Sequence, residues 1–545
     1  MQTKVTGVLK SSNTDKVAKA TWVKYLPSAL LPTGQWRELE EDMVPPERSE
    51  PPPCTDWWVV AKLVQFLSWL VVWGIDKCPG CKLVTCPVLF ERYYDQTFPV
   101  VSDTVHFTPV EKSPEEYAKW IKQRYTAARW YLIATFCHGG SVPRPYPLFK
   151  LKDIIAECAK VLAEKGICCR NRPISPNLFH WLRRVYRRIG AVLRFLCLNL
   201  PTDLQFTMMS VLELKLGLKK VKKQADQHFT IGMYRWFKIV GDVSNCYDEL
   251  VHSRILTAVK FWLQYIPKHL GRRNCDRFSV NKVNRKEVSC GADTTGGDWV
   301  TITVKQILEV CEFDCHNSVL RVRGKVYKRN LGAPMGGFLS AFYAMLTFGY
   351  REFVVLAPLL RSLGLPAWCK RYLDDLALCI AYRTLAQLSQ IQAFVAKLTG
   401  DQAYGYPLVL NVEPEGDQEF LEAKIYSKGT RLWAKLNNKV VADGMQGVAP
   451  YRRRLPLAEA TNQNDRAKLI AGTIVRIRQI GEANTLLQSL AELKLEAMLA
   501  GYGEQDYRKG AMAIVLRGGC SRSETRKLLL SAQLAEAHVV GLCDP

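Results

Sequence analysis

Three carboxylates in this sequence have the surroundings that chemistry at phosphorus requires. Asp242 follows a β-branched and aromatic run, residues 236–240 (WFKIV), in the string GDVSNCYDEL. Asp374 and Asp375 stand in RYLDDLAL, with apolar residues on both sides. Adjacent carboxylates at a strand turn repel one another unless a cation lies between or beside them. A third carboxylate at the end of a neighbouring strand completes a cage for two divalent ions. Two such ions roughly 3.5–4 Å apart clamp the attacking and leaving oxygens of a phosphoryl transfer. Carboxylate donors suit Mg2+, or Mn2+, with waters and substrate phosphates filling the remaining positions. Between the two acidic sites lies GAPMGGFLSAFYAML, residues 332–346, a Gly-rich turn that enters a helix. Glycine there lets backbone approach a template or nucleotide closely.

The elements that must position these groups follow from pattern. Residues 236–240 read as a strand ending at Gly241 and Asp242, and residues 339–353 as a helix. Residues 370–382 (KRYLDDLALCIAY) read as two short strands around an Asp-Asp turn. Upstream, HWLRRVYRRIGAVLRFL places Arg183, Arg184, Arg187 and Arg188 on one helix face with Leu, Val and Ile on the other. The run KLGLKKVKK, residues 215–223, repeats the basic theme. After residue 455 the chain reads as helical, with Arg476 and Arg478 in IVRIRQI.

The 545 residues carry 75 Lys+Arg against 51 Asp+Glu, a net charge of +24, and 48% are hydrophobic. That much apolar content excludes a mainly disordered chain. The basic excess implies a polyanionic partner, nucleic acid or an anionic membrane surface. The 18 cysteines mostly sit inside apolar runs, which points to an intracellular, reducing compartment, nuclear or cytoplasmic. MQTKVTGVLKSSN lacks the apolar core of a secretory signal. Residues 57–75 (WWVVAKLVQFLSWLVVWGI) read as an apolar helix whose polar stripe, Lys62, Gln65 and Ser68, favours packing over spanning, so membrane association is not the expectation. Cys78, Cys81 and Cys86 supply three candidate ligands for a structural zinc, with His106 or the Cys137–His138 pair as a fourth; reduced, buried thiols are the other reading.

The order of motifs, Asp-x5-Asp, then G-x-P-M-G-x-x-x-S, then Tyr-Leu-Asp-Asp, resembles the palm of reverse transcriptases, and most nearly the Penelope-like group related to telomerase. YPLFKLK (residues 146–152) and RNRPIS (residues 170–175) resemble the fingers motifs, although Phe149 and Leu151 flank Lys150 in place of the family's proline and histidine. EFLEAKIYSKGTRLWAKL (residues 419–436) resembles the FLD-type motif, with Glu422 as its carboxylate, and IVRIRQIGEANTLLQSLAELKLEAMLAGYG resembles the helical thumb. The resemblance covers roughly residues 145 to 515. It implies an α+β right-hand polymerase of fingers, palm and thumb, with an antiparallel palm sheet, a helical thumb and an N-terminal extension. The implied divisions are a flexible arm at 1–55, an extension at 56–140 with the apolar helix and Cys cluster, basic fingers at 141–234, palm at 235–445, thumb at 446–520 and a tail at 521–545.

The same resemblance implies site roles. Asp242, Asp374 and Asp375 would hold two Mg2+ or Mn2+ ions, with help from the Val243 carbonyl. Lys150 and Arg172 would meet the triphosphate, and Gly336 with its loop would support template and nucleotide. Tyr247, five residues after Asp242, would lie under the sugar and exclude a 2′-OH by a clash. The basic faces of 183–223 and the thumb arginines would track the hybrid backbone. The expected activity is RNA-templated DNA synthesis, with an RNA template, a DNA or RNA primer and dNTPs as partners. Nothing in the chain resembles a GIY-YIG endonuclease or an RNase H domain. A viral RNA-dependent RNA polymerase and a non-catalytic RNA-binding protein that keeps the fold are the rival readings. Asp248 sits one residue from Tyr247, where a polar group would favour ribonucleotides.

Overall fold

A computed structural model describes residues 70–76, 82–85, 87–150, 171–229, 233–272, 275–291, 297–413, 418–436, 463–482, 484–518 and 520–533. Its first strand, β1 (Val71–Asp76), overturns the C-terminal part of the apolar helix expected over 57–75. Val71, Val72 and Ile75 are β-branched and Trp73 is aromatic, so the segment suits a pleated surface. It pairs antiparallel with β2 (Lys82–Thr85) and, through Ile75 and Asp76, parallel with the strand at 146–150. Residues 57–69 and the cysteines Cys78, Cys81 and Cys86 lie outside the described residues. Among the described residues no helix is long and apolar enough to cross a membrane.

Helix α1 (Pro87–Thr97) leads to β3 (Phe107–Val110) and α2 (Pro114–Ala127). α2 opens on a capping box in which Glu116 N donates to Ser113 Oγ (3.2 Å) and Ser113 N donates to Glu116 Oε2 (2.8 Å). β4 (Tyr146–Lys150) and β5 (Asn171–Ile174) complete a sheet of order β2-β1-β4-β5. Two basic helices follow, α3 (Arg183–Leu198) and α4 (Glu213–His228). α3 buries Val185, Ile189, Val192, Leu193 and Leu196, the apolar face its periodicity predicts.

After β6 (Arg235–Ser244) and α5 (His252–His269) come β7 (Arg277–Asn281), β8 (Val288–Cys290) and β9 (Trp299–Thr303), an antiparallel sheet of order β8-β7-β9. α6 (Val304–His316) then leads to the hairpin β10 (Val319–Val322) and β11 (Lys325–Arg329), whose second strand also pairs with β3. α7 (Ser340–Arg351) runs through a π-helical turn, Glu352–Leu356, into α8 (Ala357–Ser362). The hairpin of β12 (Ala367–Tyr372) and β13 (Asp375–Tyr382), the helix α9 (Leu385–Leu398) and β14 (Val409–Val412) follow. β15 (Gln418–Phe420), β16 (Ala423–Lys428) and β17 (Arg431–Leu436) form a small antiparallel sheet. Four helices close the described chain: α10 (Gln463–Ile480), α11 (Leu486–Leu499), α12 (Glu504–Leu516) and α13 (Arg522–Gln533).

The antiparallel sheet β12-β13-β6-β14 separates the two large cores. Phe237, Ile239 and Val243 of β6 and Leu376, Leu378 and Ile380 of β13 enter one core with α3, α5, α6 and α7. Trp236 and Val240, with Ala377, Cys379 and Ala381, enter the other with α4, β15–β17 and α10–α13. Strict alternation of side chains along a strand produces this division. Burial on both faces explains why β13 reads as a continuous apolar run.

Candidate active site

The sheet register brings the acidic residues to one end of β6. Asp375 is the cross-strand partner of Asp242, and Asn411 of β14 is its partner on the other side. Cross-strand partners project from the same face, so Asp375, Asp242 and Asn411 form a row beyond Val240 and Ala377. Asp242 is exposed, and Asp374 and Asp375 are half-buried. Two carboxylates placed opposite one another destabilise a ladder unless positive charge intervenes.

The turn itself is Leu373–Asp374 rather than an Asp-Asp pair. Tyr372 pairs with Asp375, which is already the first residue of β13, and Leu373 takes φ 56°. Asp374 therefore leaves the row. Its carbonyl accepts from Val243 N at 3.1 Å, and its charge acts on Cys246 and Tyr247. Among the described residues no group of three or more His, Cys, Asp or Glu side chains stands ready to hold a metal ion. Asp242 and Asp375 meet across the ladder at the strand end, with Asp374 in the adjoining turn, and carboxylates are hard oxygen donors.

A buried network missing from the sequence reading fixes that turn. Arg371 and Glu352 are both fully buried and form an ion pair through Arg371 Nε and Glu352 Oε1. Arg371 also donates to the Leu373 carbonyl (2.6 Å) and to Thr207 Oγ1 (2.8 Å), and its guanidinium lies 4.8 Å from the Phe348 ring centroid. Glu352 accepts from Phe206 N (2.9 Å) and from the Tyr404 hydroxyl (3.0 Å). Burial lowers the Arg371 pKa, but the Glu352 carboxylate, together with Tyr404 and Cys246, outweighs it and raises the pKa. Glu352 opens the π-helical turn, a feature that re-aims side chains and recurs at functional sites.

The nucleotide-facing candidates gather on the other side of Asp374. Burial pushes the Tyr247 phenol up, and Cys246, Asp374 and Tyr372 add to that rise while Arg172 opposes it. Arg172, on β5, thus stands close enough for its charge to be felt at Tyr247. The loop at 332–340 joins the two. Ala333 N donates to Tyr247 O (2.7 Å), and Ser175 N donates to Met335 O (2.7 Å). Gly332 has φ +82°, and a Cβ there would lie 2.4 Å from Asp248 O, so only glycine fits. Gly336 has φ +102° and packs over Ser175 and Pro176. Lys150 ends β4 beside β5; its side chain is outside those described. Asp248, next to Tyr247 in sequence, pairs with Arg329 (2.8 Å), which is 1% exposed.

The basic segments divide. On α4, Lys219 pairs with Glu482 (3.7 Å), Lys222 with Asp226 (2.6 Å) and Lys220 with Asp203 (3.6 Å). Arg476 pairs with Glu422 (3.3 Å) and Arg478 with Glu524 (3.3 Å). These five cations each have a carboxylate partner within the chain, several of the pairs lying at the surface. Arg184, Arg187 and Arg188 of α3 have no carboxylate partner among the described residues. Of the zinc candidates within the described residues, His106 lies against Asp103 (2.7 Å) and Glu249 (3.5 Å), and Cys137 is buried.

No family profile and no curated protein matches the sequence. Solved structures do match. Telomerase from Candida albicans, in complex with a TWJ fragment of telomeric RNA, aligns at TM-score 0.55 and 12% identity, over 92% of this chain and 75% of that one. Telomerase from Candida tropicalis in the same kind of complex aligns at TM-score 0.49 and 10% identity, over 92% and 75%. Its apo form gives TM-score 0.48 and 11% identity, over 89% and 73%. The first of these shows the fold: a mixed helix and sheet architecture like that of the Candida albicans telomerase.

Proposed function

We propose that this chain is an RNA-directed DNA polymerase that extends a primer with dNTPs by two-metal phosphoryl transfer, and that its nearest kin are Penelope-like reverse transcriptases. The observation that carries the reading is the convergence of Asp242, Asp374 and Asp375 with Tyr247, Arg172 and the 332–340 loop, on a fold shared with telomerase. Asp242, Asp374 and Asp375 would hold Mg2+ or Mn2+. Such ions would supply a more acidic primer hydroxyl and neutralise charge on the leaving pyrophosphate. Arg172 and Lys150 draw the triphosphate. The loop, bonded to Tyr247 on one side and Ser175 on the other, keeps template and sugar pocket in register. Tyr247 lies under the sugar and blocks a 2′-OH. The Asp248–Arg329 pair supports this, because it engages the carboxylate next to Tyr247 in sequence that could otherwise accept from that hydroxyl.

The test is primer extension on an RNA template with Mg2+ or Mn2+, in parallel with dNTPs and rNTPs. Extension with dNTPs that disappears in Asp374→Asn is the expected result. Extension with rNTPs only would transfer the chain to the RNA polymerases. RNA binding with no extension under any of these conditions would favour a non-catalytic role.

A further inference from the structure

We propose that the outer face of α3 and the turn between β7 and β8 form one track for the phosphodiester backbone of single-stranded RNA, leading to the 332–340 loop. The inference rests on the polymerase reading and adds to it the path of the template. Arg184, Arg187 and Arg188 lie three and four residues apart, so they share a helix face. Arg187 stacks on Phe338 of the loop, its guanidinium 5.0 Å from the ring centroid. That contact ties the basic face to the candidate active site.

The β7–β8 sheet packs against the same helix, with Phe195 and Phe278 centred 6.1 Å apart. Its turn is built to present cations. Asn281 Oδ1 accepts from Val283 N (2.9 Å) and Asn284 N (3.0 Å), so the side chain shapes the turn. Glu287, the acidic residue of this turn, accepts from Asn281 Nδ2 (3.0 Å) and Asn284 Nδ2 (2.6 Å). Lys282, Arg285 and Lys286 are left exposed around it. Arg285 comes close enough to α3 that its charge, after burial, is the main influence disfavouring protonation of Arg188, with Arg184 next. Like charges held together on two separate elements cost stability in the free protein, and a phosphate chain relieves that cost. One wall of cations beside an aromatic ring suits a single strand. The contrast with α4 sharpens the assignment, since its Lys219, Lys220 and Lys222 already have carboxylate partners.

The experiment measures binding of a labelled oligouridine to the full chain by anisotropy across a KCl series, without nucleotides or divalent ions. Arg188→Gln/Arg285→Gln should weaken binding roughly tenfold or more at moderate salt. It should also flatten the log K against log salt slope by about 1.4, for two single-strand phosphate contacts. Lys219→Gln/Lys222→Gln should leave the slope unchanged, and thermal melts should show both variants folded. An unchanged slope in Arg188→Gln/Arg285→Gln overturns the track, as does an equal loss for a DNA duplex of the same length. Because no extension is measured, that failure is separate from failure of the polymerase reading, which Asp374→Asn tests.

Discussion

At the residue scale, Tyr247 carries the argument for sugar choice. Its phenol is half-buried between Asp374, Tyr372 and Arg172, and its carbonyl is fixed by Ala333. Tyr247→Ala should therefore keep dNTP extension while raising rNTP incorporation at least tenfold, read by competition between the two on one primed template. Unchanged discrimination would reduce Tyr247 to packing. The motif residues were legible because each sits in a short string with its own spacing. Arg371, Glu352 and Arg329 were not, because their partners are far along the chain. Nothing near Glu352 in sequence announces a buried arginine at 371, and only the meeting of the π-helical turn with β12 makes the pair.

At the element scale, the β12–β13 hairpin is held from behind. Arg371→Met leaves Glu352 buried and uncompensated, and should cost about 3–5 kcal/mol in chemical denaturation. Arg371→Met/Glu352→Leu should recover much of that stability, since apolar replacement of a buried pair is often tolerated. It should not recover extension, because the Leu373 carbonyl still lacks its donor. Recovery of both would show that the network serves stability alone. The strands β6, β12 and β13 were readable from short apolar and β-branched runs and turn chemistry, within a few residues at their ends. Residues 71–76 were misread because an apolar run carries no period, and the strand partners that decide its state lie at 82–85 and 146–150. Basic periodicity on α3 and α4 looked alike in sequence; of the carboxylates that distinguish them, Glu482 and Asp203 lie outside α4 and only Asp226 is on it.

At the scale of the whole molecule, one buried acid links four helices. Asp314 on α6 accepts from the Tyr343 hydroxyl of α7 (3.2 Å) and lies against Tyr186 of α3, with Cys311 and Cys315 beside it and Tyr117 of α2 close by. Burial lifts its pKa to about 7 from 3.8. The folded state holds this proton more tightly than the unfolded chain. Its contribution is full below the unfolded value, declines as pH rises and is lost above about 7. Unfolding free energy should fall across that window by up to about 4 kcal/mol. Asp314→Asn cannot ionise and should remove the slope, as denaturation at several pH values would show. A slope that persists in the variant would place the proton elsewhere.

The pairing of β3 with β11 has a consequence during synthesis. Val110 meets Val326, so the first of these strands leaves the ribosome more than two hundred residues before its mate. At roughly 5–20 residues per second, that is a wait of about 10–40 s. Through this interval Phe107 has no partner strand, and the cation–π contact with Arg329, at 5.2 Å, has yet to form. The Asp248–Arg329 pair beside Tyr247 waits for the same residue. Translation thus sets the earliest moment at which the Asp248–Arg329 pair can close, and a nascent chain halted before Arg329 holds the turn after β6 only by local backbone hydrogen bonds, Asp248 N and Glu249 N donating to Asn245 O.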